Sequence, residues 1–266
     1  MIKRPDYPPR DTALVMRMVL IALVPGIVAM TVFFGPGVLF NLTAAILTAI
    51  ASEALCLRLR KRELKPRLSD LSAVLTGVLI ALALPQAAPW WLVIAASAAS
   101  MILGKHLYGG LGQNPINPAM LGYALMLISA PVEMTTLWIN PLTTPDLLTA
   151  WSAFLGHTSD AFTGATTLDL YKTEFRALTA NEASRNPLFT QAHLGFLYGY
   201  EWAALAYLAG GLWLIYQRVI TWHTPVGLLA TLVVMSAFFS FDPDTATPVW
   251  VDRKSTRLNS SHQIIS

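Results

Sequence analysis

The chain predicts an all-α integral membrane protein: a polytopic helical bundle of about seven transmembrane helices, interrupted by one long polar loop. Three observations carry that expectation. Of 266 residues, 55% are hydrophobic and only 12% charged, about half the charged share of a soluble domain. The apolar residues fall in runs near the ~20 residues that a helix needs to cross the hydrocarbon layer. Gly/Pro turns and clusters of basic residues separate those runs, and such clusters mark topology. The excess of Lys+Arg over Asp+Glu, 18 against 15, is too small for a nucleic-acid-binding surface. Cys56 is the only cysteine, which excludes an internal disulfide, a Cys-rich zinc site and a four-cysteine iron–sulfur cluster.

Residues 1–10 carry Pro5, Pro8 and Pro9 without the small-residue cleavage pattern of a signal peptide, so the first apolar run is expected to be retained. That run, residues 14–34, is the first span, with Arg17 able to snorkel and Pro25-Gly26 expected to kink it. Gly35-Pro36-Gly37 turns the chain, and residues 38–57 return with Asn41, Thr43, Thr48 and Glu53 as polar members. Residues 58–67 hold six basic residues beside one acid, and Lys3, Arg4 and Arg10 precede the hairpin. By the positive-inside rule both ends of the hairpin are cytoplasmic. Glu53 is the acid clearly within a span, hence a functional candidate, although it lies near enough to the cytoplasmic end to reach water or pair with Arg58.

The next apolar segment, residues 71–84, is short, contains Thr76-Gly77 and stops at Pro85, the pattern of a broken helix facing the protein interior. Residues 90–103 follow, opened by the interfacial pair Trp90-Trp91 and rich in the small residues that allow close helix approach. Lys105-His106 is expected to end that span on the cytoplasmic side. Then comes Gly109-Gly110-Leu111-Gly112-Gln113-Asn114-Pro115-Ile116-Asn117-Pro118, irregular backbone at the mouth of a helix over 119–130. Its free N–H groups and two carboxamides suit a flavin edge, a quinone carbonyl or an ion; they equally suit a well-capped loop.

Residues 131–198 are less apolar, with six acids against three bases. Five crossings from a cytoplasmic start put this loop on the periplasmic side. Residues 201–217 and 225–241 supply two further spans. The organisation is thus 1–130, a five-helix membrane repeat; 131–198, a periplasmic loop; 199–241, two more helices; and 242–266, a polar tail expected to be truncated or non-native.

Within the loop lies a polar island, Asp160-Ala161-Phe162-Thr163-Gly164-Ala165-Thr166-Thr167-Leu168-Asp169. By composition alone it is a loop with a turn glycine. Taken with residues 72–85 (SAVLTGVLIALALP) and 109–120 (GGLGQNPINPAM), in that order and spacing, it resembles the D subunits of bacterial Rnf electron-transport complexes, homologues of the B subunit of the sodium-pumping NADH:quinone reductase. The resemblance implies FMN on a threonine of an Asp-x-x-(Ser/Thr)-Gly-Ala-Thr motif, through a phosphoester made by a separate flavin transferase. Asp160, Thr163, Gly164 and Ala165 match that motif, and Thr166 is its acceptor. It also implies a second, noncovalent flavin (riboflavin) in the membrane core, placed near Thr76, Asn114 and Asn117. It implies a multi-pass subunit of the bacterial inner membrane that works with the other subunits of its complex to couple electron transfer to ion translocation. No catalytic or metal-ligating residue is expected, and no activity as a stand-alone enzyme. Family chains carry roughly three further helices, the second half of an inverted repeat, beyond the point where this sequence stops.

Gly164 and Ala165 leave room for a transferase to close around the Thr166 hydroxyl, and a bound flavin would carry the electrons. The alternative from another class is a secondary transporter or channel subunit without flavin, in which residues 71–84 and the Asn-Pro repeat line a pathway. Haem ligation is disfavoured: His106, His157, His193 and His223 offer no pair at a helical ligand spacing.

Overall fold

A computed structural model describes residues 11–64, 68–110, 112–139, 141, 144–157 and 199–241. Among these the chain is helical, with no extended strand. The helices are α1 (Thr12–Phe34), α2 (Gly37–Leu59), α3 (Ser72–Ala83), α4 (Trp90–Ala99), a π-helical continuation of α4 (Ser100–His106), α5 (Pro118–Ser129), α6 (Pro131–Thr136), α7 (Leu147–Phe154), α8 (Tyr200–Tyr216) and α9 (His223–Phe241). Two of them, α1 and α2, are long and apolar enough to cross a membrane; α3, α5, α8 and α9 are shorter apolar helices. The described chain divides into two units, residues 11–157 with 199–219, and residues 220–241. The second consists of α9 and its approach, where Trp222 stacks on His223.

In the first unit α2 is the central element. Its buried positions, Val38, Asn41, Leu42, Ala45, Ala49, Ser52, Glu53 and Leu57, recur every three or four residues and form one inward stripe. Helix α3 packs closely on that stripe. A Cβ added to Gly77 would stand 2.8 Å from the Ile46 Cα, a distance that only glycine permits. Helix α5 meets α4 in the same way, since a Cβ on Gly122 would meet the Ala96 carbonyl at 2.5 Å. Helix α1 is joined to α8 by reciprocal glycines: the Tyr207 ring covers Gly26, and the Ala22 carbonyl occupies the space above Gly210. Lipid gives helices little hydrophobic reason to associate, so close van der Waals contact of this kind is what binds them.

Helix α3 has 12 residues, about 18 Å of rise against a hydrocarbon thickness of about 30 Å. Its end is dictated by Pro85, which drives Leu84 to the extended φ of −82° and ψ of 155°. Residues 84–89 then run without helix and fully buried. Their polar groups are met internally: Asn41 Nδ2 donates to the Pro85 carbonyl at 2.9 Å, and the Ile139 N–H donates to Gln86 Oε1 at 3.1 Å. The Ala87 N–H donates to the Leu137 carbonyl at 3.3 Å. Irregular backbone survives in an apolar core only when so compensated. A Cβ on Gly37 would lie 2.4 Å from the Gln86 carbonyl oxygen, so the glycine at the head of α2 makes the room.

The stretch expected as a long loop from residue 131 contains two helices, α6 and α7. Pro131 at its first turn starts α6, and Asp146 caps α7 by accepting the Thr149 N–H at 3.3 Å. Both are short enough for their signal to vanish in a low-hydropathy segment. Trp151 and Phe154 of α7 hold it to Phe40 of α2, with ring centroids 5.1 and 5.8 Å away.

Candidate functional site

The π segment places the groups that matter. In it the Leu107 N–H reaches back five residues to the Ile102 carbonyl at 2.9 Å, a wider turn of a kind concentrated at functional sites. Gly104, Lys105 and His106 are consecutive and all buried there. Gly104 lets this segment lie against the start of α5, where an added Cβ would come 2.7 Å from the Pro118 Cα. Lys105-His106 does close the helical segment, as expected, but the Lys105 side chain turns inward at 2% exposure.

Inside, the Lys105 ammonium forms an ion pair and hydrogen bond with Glu53 Oε1. Glu53, also 2% exposed, thus takes Lys105 as its partner in place of the water or Arg58 suggested by sequence position. Lys105 Nζ also donates to Ser72 Oγ at 2.6 Å. Ser72 Oγ donates in turn to Asp70 Oδ1 at 2.5 Å, and the Ser72 N–H reaches the same oxygen at 2.8 Å. His106 Nε2 stands 3.9 Å from Glu53 Oε1, and the Arg60 guanidinium donates to the His106 carbonyl at 2.5 Å. Three elements meet here: α2 and its C-cap give Glu53 and Arg60, the first residue of α3 and the turn before it give Ser72 and Asp70, and the π segment gives Lys105 and His106. Backbone strain accompanies the junction, because Leu71 adopts φ +62° between Asp70 and Ser72, a left-handed conformation unfavourable for a branched side chain.

A pair of charges removed from water is costly unless each is compensated. Here the carboxylate has its ammonium, and the ammonium has two acceptors. Charged groups so placed in a membrane bundle mark ion or proton pathways by default.

Thr76 lies one turn along α3 from Ser72, buried, with its Oγ1 donating to the Ser72 carbonyl at 2.9 Å. Asn114 Nδ2 donates to the Ile116 carbonyl at 2.8 Å, and Asn117 Oδ1 caps α5 by accepting the Ala119 N–H at 3.0 Å. Each of the three bonds within its own segment, and these bonds do not themselves build a flavin pocket from them. The Asp160, Thr163, Gly164, Ala165 and Thr166 motif lies outside the described residues. Sequence reading reached Glu53 alone among the four groups of the buried chain. The signal for its inward orientation was its spacing from Ala45, Ala49 and Ser52; Lys105 carried the same signal in its spacing from Ser97 and Met101.

The fold and the cluster together define a class: a helical membrane protein that keeps ionisable groups inside its bundle. A sequence profile of the NQR2, RnfD, RnfE family matches residues 7–255, and the chain belongs to that family. It is 44% identical over 255 residues to the D subunit of the ion-translocating oxidoreductase complex from Salmonella heidelberg (strain SL476), covering 89% of this chain and 72% of the relative. The proteins of the same name from Salmonella choleraesuis (strain SC-B67) and Salmonella typhi are similar to the same extent.

Proposed function

We propose that this chain is the D-type membrane subunit of an ion-translocating oxidoreductase complex of the ferredoxin:NAD type, in the bacterial inner membrane. Thr166 would hold FMN through a phosphoester to its hydroxyl, and the bound flavin would supply electron transfer coupled to ion movement across the bundle. What carries this is the family match over residues 7–255, together with an intact Asp160-x-x-Thr163-Gly164-Ala165-Thr166 motif. The flavin supplies reversible electron transfer when bound. The chain supplies the rest: Thr166 offers the oxygen that accepts the phosphoryl group, and its neighbours in sequence, Gly164 and Ala165, are small residues suited to recognition by a flavin transferase. A noncovalent riboflavin in the core belongs to the same proposal, with Thr76, Asn114 and Asn117 as the residues that would hold it. Partner subunits complete the electron path.

Topology follows from charge. The basic residues 58–67 hold one end of the α1–α2 hairpin in the cytoplasm, and five crossings carry the Thr166 loop to the periplasm. Mass spectrometry of the peptide spanning Thr166, after co-expression with a flavin transferase, tests attachment: the FMN adduct is expected on Thr166. Thr166→Ala removes flavin fluorescence from the denatured band and Thr167→Ala preserves it. An unmodified wild-type peptide with a dark band refutes the attachment. Labelling of a Thr163→Cys variant in Cys56→Ser background tests the address separately; reaction with permeant reagents alone refutes a periplasmic loop.

A further inference from the structure

We propose that Asp70, Ser72, Lys105 and Glu53 form a proton relay connecting solvent at the half-buried Asp70 with a proton store on Glu53, and that the ion this subunit moves is H⁺. The inference rests on ion translocation as proposed above and adds the identity of the ion and its carriers. The four groups lie in one unbroken line. Asp70 is half-buried, and Ser72, Lys105 and Glu53 are buried at 4%, 2% and 2% exposure. The links are Ser72 Oγ to Asp70 Oδ1 at 2.5 Å, Lys105 Nζ to Ser72 Oγ at 2.6 Å, and the Lys105–Glu53 bond. Every member can both give and take a proton in one of its states: a carboxyl, a hydroxyl, an amine and a second carboxyl.

The donor directions define the resting state. Lys105 donates outward to Ser72 and Ser72 donates outward to Asp70, with Glu53 ionised against the ammonium. Loading begins when the ammonium passes one proton to the Glu53 carboxylate, leaving an amine and a carboxylic acid. Water then protonates Asp70. As the Ser72 hydroxyl rotates, Asp70 gives its proton to Ser72 Oγ while Ser72 gives its own to the Lys105 amine. The balance is one proton taken from solvent and held on Glu53, with Lys105 again an ammonium, Ser72 unchanged and Asp70 again a carboxylate. Reversal of these steps returns the proton to the face it came from, so the line accounts for uptake onto Glu53, the loading half of translocation. Among the described residues, His106, 3.9 Å from Glu53, and Arg60, bonded to the His106 carbonyl, also stand near the store.

A hydrated metal cation does not suit this line. The Lys105 ammonium stands between Ser72 and Glu53, taking the position of a bound cation and repelling a second one. A proton needs no vacant coordination shell and moves by exchange along the same bonds.

The test uses the whole complex in liposomes, with electron transfer followed by reductant oxidation and proton movement by an entrapped pH-sensitive dye. Ser72→Ala breaks the line and leaves the Glu53–Lys105 pair in place. The number of protons moved per electron is expected to fall at least about tenfold, with bound flavin and uncoupled electron transfer still measurable. Ser72→Thr, which restores the hydroxyl, is expected to recover proton movement. Wild-type proton movement per electron in Ser72→Ala overturns the relay. Should Ser72→Ala prove unstable, Asp70→Asn serves as the outer break, and unchanged proton movement there overturns the relay equally. If the wild-type complex builds a Na⁺ gradient that survives a protonophore, the relay is overturned and ion translocation stands. If no ion moves, both fail.

Discussion

Replacing Lys105 by Met takes the hydrogen-bonded ammonium away from the buried Glu53 carboxylate, and the cost should be large. Glu53 and Lys105 side chains are 2% and 3% exposed, so neither can turn to water without opening the contact between α2 and the π segment. Removing one member of such a pair costs about 3–5 kcal/mol, whereas replacing both by apolar residues of similar volume is often neutral or stabilising. Lys105→Met and Glu53→Leu should therefore each destabilise by about 3–5 kcal/mol, and the double variant should return to within about 1 kcal/mol of wild type. Ser72 tolerates the double change because its hydroxyl still donates to Asp70. Unfolding in detergent micelles, followed by tryptophan fluorescence for all four proteins, closes the cycle. A coupling above about 3 kcal/mol is expected. Single costs below about 1 kcal/mol that simply add would refute the pair's isolation from water, and with it the account of the site.

Two further outcomes test the packing. Gly210→Ala should destabilise more than Gly26→Ala, because its Cβ would meet the Ala22 carbonyl oxygen at 2.0 Å while the other meets the movable Tyr207 ring at 2.1 Å. Costs of about 1–3 kcal/mol are expected, and thermal unfolding that ranks them the other way would contradict the α1–α8 contact. Leu71→Asn should raise stability by about 1 kcal/mol by suiting the left-handed φ of +62° before α3; a lower melting temperature would show that the Leu71 contacts outweigh its strain.

Helix positions were legible because apolar runs and prolines act locally. Pro85 ended α3, Gly35-Pro36-Gly37 turned the hairpin, and Asn117-Pro118 started α5, each by restricting its own backbone or satisfying it within two residues. Helices α6 and α7 were not legible in this way. Their six and eight residues are held by Pro131, by Asp146 and by aromatic contact with Phe40, and that contact is distant in sequence.

The candidate site divides along the same line. Glu53 stood out because an acid inside an apolar run is conspicuous, yet its partner is 52 residues away and was hidden by a local reading of Lys105-His106 as a helix end. A basic residue at the close of an apolar run is ordinarily a snorkelling group. What reverses that expectation is the π turn, which presents Gly104, Lys105 and His106 together to the interior, and a π turn has no simple signature in hydrophobic periodicity. The inward stripe of α2 and the small residues Ser97, Ser100 and Gly104 on the facing helix were nonetheless present in the sequence. Two small-residue faces that pack closely around one acid leave no room for water to solvate it, so a cation had to be supplied by the protein. Among the described residues Lys105 and His106 are the basic groups buried beside those faces, and Lys105 is the one hydrogen-bonded to the acid. Burial of the acid and burial of the lysine are thus one constraint seen from two helices, and a substitution that fills Gly104 or Gly77 should disturb the ion pair without touching either charge.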